Sequence, residues 1–395
     1  MVIPADWKEV RLGEHAAFFK GNGLSKSQLI DDGPQQCVHY GELFTHYGPV
    51  IETVTSNCVA FEGSFKSLAG DVLMPGSDVT PRGLATASAI KVSDVVLGGD
   101  VIVIRTKPTS LYGPFLSNFI RMSKGRVLRL VKGSTVYHIH AKDLADLEVL
   151  MPPLKEQEAI SEALSDADAA IESLDSLIAK KRDVKQATMQ QLLTSRTRLP
   201  GFNADWKEVL LGDICELSLA ASKKSRSDGR GKYIIADMGS VSKDGSFLTH
   251  KTTDVREDVL RTGDLVMPKD DIGGGQIIGK AVLVDEDERY VLGDHVYRLR
   301  LSDGCPAFVR YGINSYKVNI QLRSKVVGSA QLGLGRRAVL EQPISFPLLK
   351  EQEAIAEVLS VMDDELETLT EQVSKLRMMK EGMMQDLLTG KVRLV

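Results

Sequence analysis

Apolar residues return at steps of four and three along two stretches of this 395-residue chain. In the first, Ile160, Leu164, Ala167, Ile171, Leu174 and Ile178 keep that rhythm, followed by Val184, Thr188 and Leu192. In the second, the series is Ile355, Leu359, Met362, Leu366, Leu369, Val373, Leu376, Met379, Met383 and Leu387. Such spacing draws one narrow stripe along an α-helix and predicts a coiled-coil seam. Pro152, Pro153 and Pro347 stand just ahead of the two runs and none interrupts them. Each helix of roughly 38 residues would span about 57 Å. A helix that long with a single stripe needs a partner, because isolated helices gain little stability in water. The other run is the expected partner, and an internal two-fold would make the pair antiparallel with one globular body at each end. Lys181 stands where the second run has Leu376 and predicts a polar break in the seam.

The two runs belong to a longer repeat. The phrase LKEQEAI occurs at 154–160 and again at 349–355, DWKEVRLGE (6–14) returns as DWKEVLLGD (205–213), and GDVLMP (70–75) returns as GDLVMP (263–268). Both tryptophans, Trp7 and Trp206, sit in the repeated opening phrase. KEQE is expected to be a solvated helix start, with Glu156, Glu158, Glu351 and Glu353 near the positive end of the helix dipole. The plan is a body at 1–151, a helix region at 152–199, a second body at 200–345 and a second helix region at 346–395. Within the bodies VIVIRT (101–106), AVLVDEDE (281–288), YVLGDHVYRLRL (290–301) and SYKVNIQL (315–322) predict strands. The fold expected is α/β: two globular domains separated by a pair of long antiparallel helices in an internal pseudo-two-fold repeat.

Apolar residues at 43% and charged residues at 26% suit a globular protein. Four cysteines without metal spacing predict reduced structural thiols, and no run of 18 apolar residues offers a membrane span, so a cytoplasmic protein is expected. The net charge of −4 hides its distribution: 11–151 has 14 Lys+Arg against 13 Asp+Glu, 210–345 has 20 against 18, and 346–395 has 6 against 10. The bodies can therefore present basic patches to phosphates. Candidates in the first body are Arg82 and the cluster Arg121, Lys124, Arg126, Arg129 and Lys132. In the second they are Lys223, Lys224, Arg226, Arg230, Lys232, Lys269, Arg336 and Arg337. GGG at 273–275 lacks the Lys-Ser/Thr of a nucleotide loop and reads as a tight turn. No metalloprotease, Walker or nucleophile-elbow motif occurs, and no Asn/Asp-Pro-Pro-Tyr motif of adenine methyltransferases. A nucleic-acid enzyme with carboxylates in the bodies, or a scaffold that binds proteins, are the rival readings.

The Pro-Leu-x-Glu-Gln-x-x-Ile phrase at 153–160 and, with one extra leucine, at 347–355, the Leu-Gly-Asp at 211–213 and GDLVMPKDDIGGG resemble the specificity subunit of type I restriction–modification systems. The resemblance covers essentially the whole chain. It implies two target-recognition domains that each read half of a split double-stranded DNA sequence. It also implies spacer helices that dock two methyltransferase subunits, with endonuclease/translocase subunits joining them. It places no active site and no cofactor on this chain; S-adenosylmethionine, ATP and Mg²⁺ would belong to the partner subunits.

Overall fold

The computed structural model describes residues 4–59, 63–220, 231–248, 251–272, 274–328 and 331–394. Two compact units divide the chain: Met1–Ser176 with Glu371–Val395, and Leu177–Thr370. The long helices, Leu154–Leu192 and Leu349–Leu387, each have 39 residues, and each contributes one part to either unit.

In the first unit the opening phrase supplies a strand, Lys8–Arg11, that pairs antiparallel with Glu148–Met151 directly ahead of the long helix. A five-stranded sheet follows the order Ala16–Lys20, Val101–Thr106, Val72–Pro75, Ser88–Ile90, Val50–Ile51. VIVIRT is apolar without alternation because both faces of its strand are covered. Ile102 and Ile104, with Val72 and Met74, enter the core beneath the helix Gly113–Met122, which brings Phe115 and Phe119. Val101, Val103 and Leu73 point to a second core on the opposite face.

The second unit repeats this scheme. Lys207–Leu210 pairs with Pro343–Phe346, and a four-stranded sheet runs Cys215–Ser218, Val296–Leu301, Leu265–Pro268, Val282–Leu283. Leu265, Met267, Tyr297 and Leu299 face one core; Val266, Val282 and Val296 face another. The repeated Gly-Asp has a physical cause. Gly70 and Gly263 both take φ of +93°, where a Cβ is strained. The aspartates behind them are buried and receive forked guanidinium bonds: Arg105 to Asp71 at 2.8 and 2.8 Å, Arg300 to Asp264 at 2.7 and 2.6 Å.

Two expectations fail on local grounds. SYKVNIQL is no strand but most of the helix Tyr316–Ser324, with Val318 and Leu322 buried one turn apart. The basic cluster begins in helix, Arg121 lying in the last turn of Gly113–Met122 and Lys124–Leu128 forming another. Val184 and Met379 are not on the seam, being 54% and 61% exposed. Continued strictly, the four-and-three rhythm passes through Lys181 and Lys185 in the first helix and Lys380 in the second, and these lysines are half-buried.

Each helix ends in a left-handed residue, which stops it. In the second this is Gly390 at φ +72°, and in the first it is Ser195 at φ +57°. Serine has a Cβ that disfavours that region, so Ser195→Gly should raise the stability of its unit by about 0.5–1 kcal/mol. Chemical denaturation would show it as a higher midpoint with unchanged slope.

Candidate nucleic-acid interface and the joints that hold it

The duplicated phrase is not a solvated helix start. Lys155 and Glu158 are exposed, but Glu156 and Gln157 are 2% and 0% exposed, and Glu351 and Gln352 both 1%. In the first unit Glu156 accepts the Trp7 indole N–H at 3.1 Å and two guanidinium N–H groups of Arg393 at 2.6 and 2.7 Å. In the second unit Glu351 accepts Trp206 at 3.1 Å and Arg198 at 2.6 and 2.7 Å. The glutamines act beside them. Gln157 donates to the Pro152 carbonyl at 2.9 Å and accepts the backbone N–H of Tyr112 at 2.8 Å. Gln352 donates to Pro347 at 2.8 Å and accepts the N–H of Cys305 at 2.9 Å. Tyr112 and Cys305 each precede the helix that covers the sheet. The buried glutamates and glutamines of the two phrases are thus partnered, and the phrase works as a joint locking each body to its long helix. Its sequence signal was the pairing of the two tryptophans with Arg198 and Arg393 at matching places in the repeat.

Within each unit the helix segments run antiparallel. Glu156 meets Arg393, Asp168 meets Lys380 and Asp175 meets Arg377 in the first. Glu351 meets Arg198, Asp363 meets Lys185 and Glu365 meets Lys181 in the second. Of the seam residues expected, Ile160, Leu164, Ile178, Ile355, Leu359 and Val373 are buried, while Ile171, Leu174, Leu366, Leu369 and Leu376 are half-buried. Ile160 and Leu164 share the first body's core with Leu387 and Leu388, and Ile355 and Leu359 share the second's with Leu192 and Leu193. The helix starts therefore pack both on a body and on the end of the other helix.

Asp363 draws its bonds from three different side chains. Besides Lys185 it accepts the Tyr311 hydroxyl at 2.6 Å and Arg310 at 3.0 Å. Burial pushes its pKa up, but the bonds from Lys185 and Tyr311 and the nearby cations outweigh this and hold it below the usual carboxylate value of 3.8. A depressed folded pKa stabilises above the unfolded value and loses that contribution as pH falls through the folded one. Asp363→Asn should therefore lower Tm at neutral pH, and the gap between variant and wild type should begin to narrow as the pH drops below about 4 and close only below the folded pKa. A gap independent of pH would contradict the assignment.

The basic candidates divide sharply. Arg121 is turned inward: its guanidinium bonds the carbonyls of Ala87 and Tyr47 and the Ser88 hydroxyl, and burial pushes its pKa down to about 10. It serves the fold and leaves the candidate surface. Arg126 bonds Glu9 at 3.3 Å and the Glu148 carbonyl at 3.2 Å. Lys132 pairs with Asp143 at 2.9 Å, holding that carboxyl below its ordinary value. Lys269 pairs with Asp270 at 2.6 Å beside His295, and Arg337 with Glu341 at 2.7 Å. Lys223, Lys224, Arg226 and Arg230 lie outside the described residues.

Arg82, Lys124, Arg129 and Arg336 are exposed and form no ion pair with a described residue, while exposed Lys232 lies 5.3 Å over the Tyr233 ring. The turn Pro81–Ala85, bearing Arg82, packs against the helix Lys124–Leu128. Arg82 comes shortly after Ser77–Asp78, which pairs with Tyr137–His138, and Arg336 shortly after Leu332–Gly333, which pairs with Asp270–Asp271. Among the described residues no group of three metal-ligating side chains occurs, and no helix is long and apolar enough to cross a membrane.

Two like units, each a body locked to paired helix segments, define a duplicated architecture. The chain belongs to the type I restriction modification DNA specificity domain family, whose model matches residues 4–180 and 203–375. It is 22% identical to the type I restriction enzyme MjaVIII specificity subunit of Methanocaldococcus jannaschii, over 99% of this chain and 94% of that protein. The same fold occurs in the S subunit of the type I restriction-modification system from M. genitalium, with a TM-score of 0.65, 16% identity and coverage of 98% and 96%. A chain from a type I R-M system, studied for its complex assembly and conformational transition, follows with a TM-score of 0.55, 15% identity and coverage of 99% and 100%.

Proposed function

We propose that this specificity subunit reads a bipartite double-stranded DNA target, one half per body, and delivers partner methyltransferase and endonuclease/translocase subunits to it. The observation that carries the proposal is a joint that recurs within each of two unlike bodies: Trp7–Glu156–Arg393 and Trp206–Glu351–Arg198 repeat bond for bond, while the exposed cations of the two bodies differ. A repeated joint with divergent surfaces suits two readers held in a fixed relation. Linking two weak readers makes the second binding event intramolecular and turns two partial readings into one specific one. Arg82, Lys124, Arg129, Lys232 and Arg336 position the bodies on phosphates, and groove contacts between them discriminate bases. The paired helices set the distance between half-sites and dock two methyltransferase subunits. Catalysis lies with those partners: S-adenosylmethionine in the methyltransferase, ATP and Mg²⁺ in the endonuclease/translocase. The complex acts in the cytoplasm.

Mapping methylated adenines across the genome with and without this gene tests the reading. A split motif, two short defined stretches around an undefined gap, should vanish with the gene. A methylation map that does not change would overturn it.

A further inference from the structure

In the unit Leu177–Thr370 two cations outside the expected clusters stand close together. Lys280 ends a turn in which Gly274, Gly275 and Gly279 take φ of +85°, +76° and +71°. That turn lies against the helix Tyr316–Ser324. A Cβ on Gly279 would stand 3.3 Å from Leu322, and one on Gly275 would stand 3.7 Å from a terminal nitrogen of Arg323. Asn319 donates to the Gly279 carbonyl at 3.1 Å, and the Asp271 carboxylate accepts the Ile277 N–H at 2.9 Å, so the turn is tied from both sides. Arg323 is exposed and Lys280 half-buried, and neither forms an ion pair with a described residue. Burial and the neighbouring Arg323 both push the Lys280 pKa down, opposed by Asp244, which accepts from Ser242 instead of pairing with the lysine. Holding a half-buried ammonium beside a second cation is unfavourable unless an anion joins them.

We infer that Lys280 and Arg323, flanked by the side-chain-free surface of Gly274, form a seat for a backbone phosphate of double-stranded DNA. The inference rests on the DNA-reading function proposed above and adds a contact in the second body. Lys280 is too enclosed to extend into a groove, so the seat fixes the body's position without reading sequence. Glycine at 275 keeps the turn close to its neighbours, since a Cβ there would press on Leu332, 2.9 Å away, while meeting the Arg323 guanidinium at an ordinary contact distance.

The test measures DNA binding by the subunit assembled with its methyltransferase partners, across a series of salt concentrations, on a mixed-sequence duplex and on a duplex carrying the mapped target. Lys280→Met and Arg323→Gln should each weaken binding several-fold and reduce the slope of log K against log salt by about 0.9, and the double variant by about 1.8. The loss should be equal on both duplexes. Wild-type affinity and slope in Arg323→Gln and in the double variant would overturn the seat while leaving the DNA-reading function intact. A wild-type complex that binds neither duplex would instead overturn that function. Should Lys280→Met fail to fold, Arg323→Gln, on the exposed face of its helix, decides alone.

Discussion

Glu351→Ala is expected to destabilise the unit Leu177–Thr370 by about 3 kcal/mol, because removing one member of a buried, hydrogen-bonded ion pair strands the other. For a unit of this size that is a fall in Tm of roughly 6–12 °C. The carboxylate is 1% exposed and takes three donors, two from Arg198 and one from Trp206. The truncated side chain would take the acceptor away from the Trp206 indole N–H and from two N–H groups of Arg198. Glu353→Ala, two residues away and exposed, is the control and should leave Tm unchanged. Calorimetry on both variants decides; equal transitions would mean that the joint is incidental. A loosened joint should also let the second body tilt on its helix, so its half of the methylated motif should blur while the other half stays defined.

The second large effect concerns specificity. Exchanging residues 8–151 for the matching body of a relative should replace one half of the methylated motif and leave the other half and the gap unchanged. The structure dictates those junctions. Lys8–Arg11 and Glu148–Met151 pair with each other and must travel together, whereas Trp7, Glu156 and Arg393 form the joint and must stay. Sequencing of methylated DNA from cells carrying the hybrid is the measurement, and a change in both halves would contradict independent reading by two bodies.

How much of this was legible in advance varied with the range of the physics involved. The helices were legible because their period is local: Ile160, Leu164, Ile355 and Leu359 announce a seam at steps of four and three. Even there the chemistry misled by one residue. Val184 and Met379 look like seam residues, yet the phase set by Ile178 and Leu376 brings Lys185 and Lys380 inward, where Asp363 and Asp168 neutralise them. SYKVNIQL resembled a strand because β-branched and aromatic residues alternate, but the step from Val318 to Leu322 was the period that decided. Arg121 and Arg129 looked alike in one basic run; one supports three groups of the fold and the other faces solvent.

By itself the sequence determined that the chain is built twice and that each half carries a long helix, since duplication and helical period are written in neighbouring residues. Only the tertiary structure decided that Glu156 and Gln157 are buried. Trp7 and Arg393, which make that burial tolerable, stand 149 and 237 residues away along the chain. The same holds for Lys280 and Arg323, brought together by a turn packing on a helix. Burial of a charge depends on what the rest of the chain brings to it, and no local pattern encodes that.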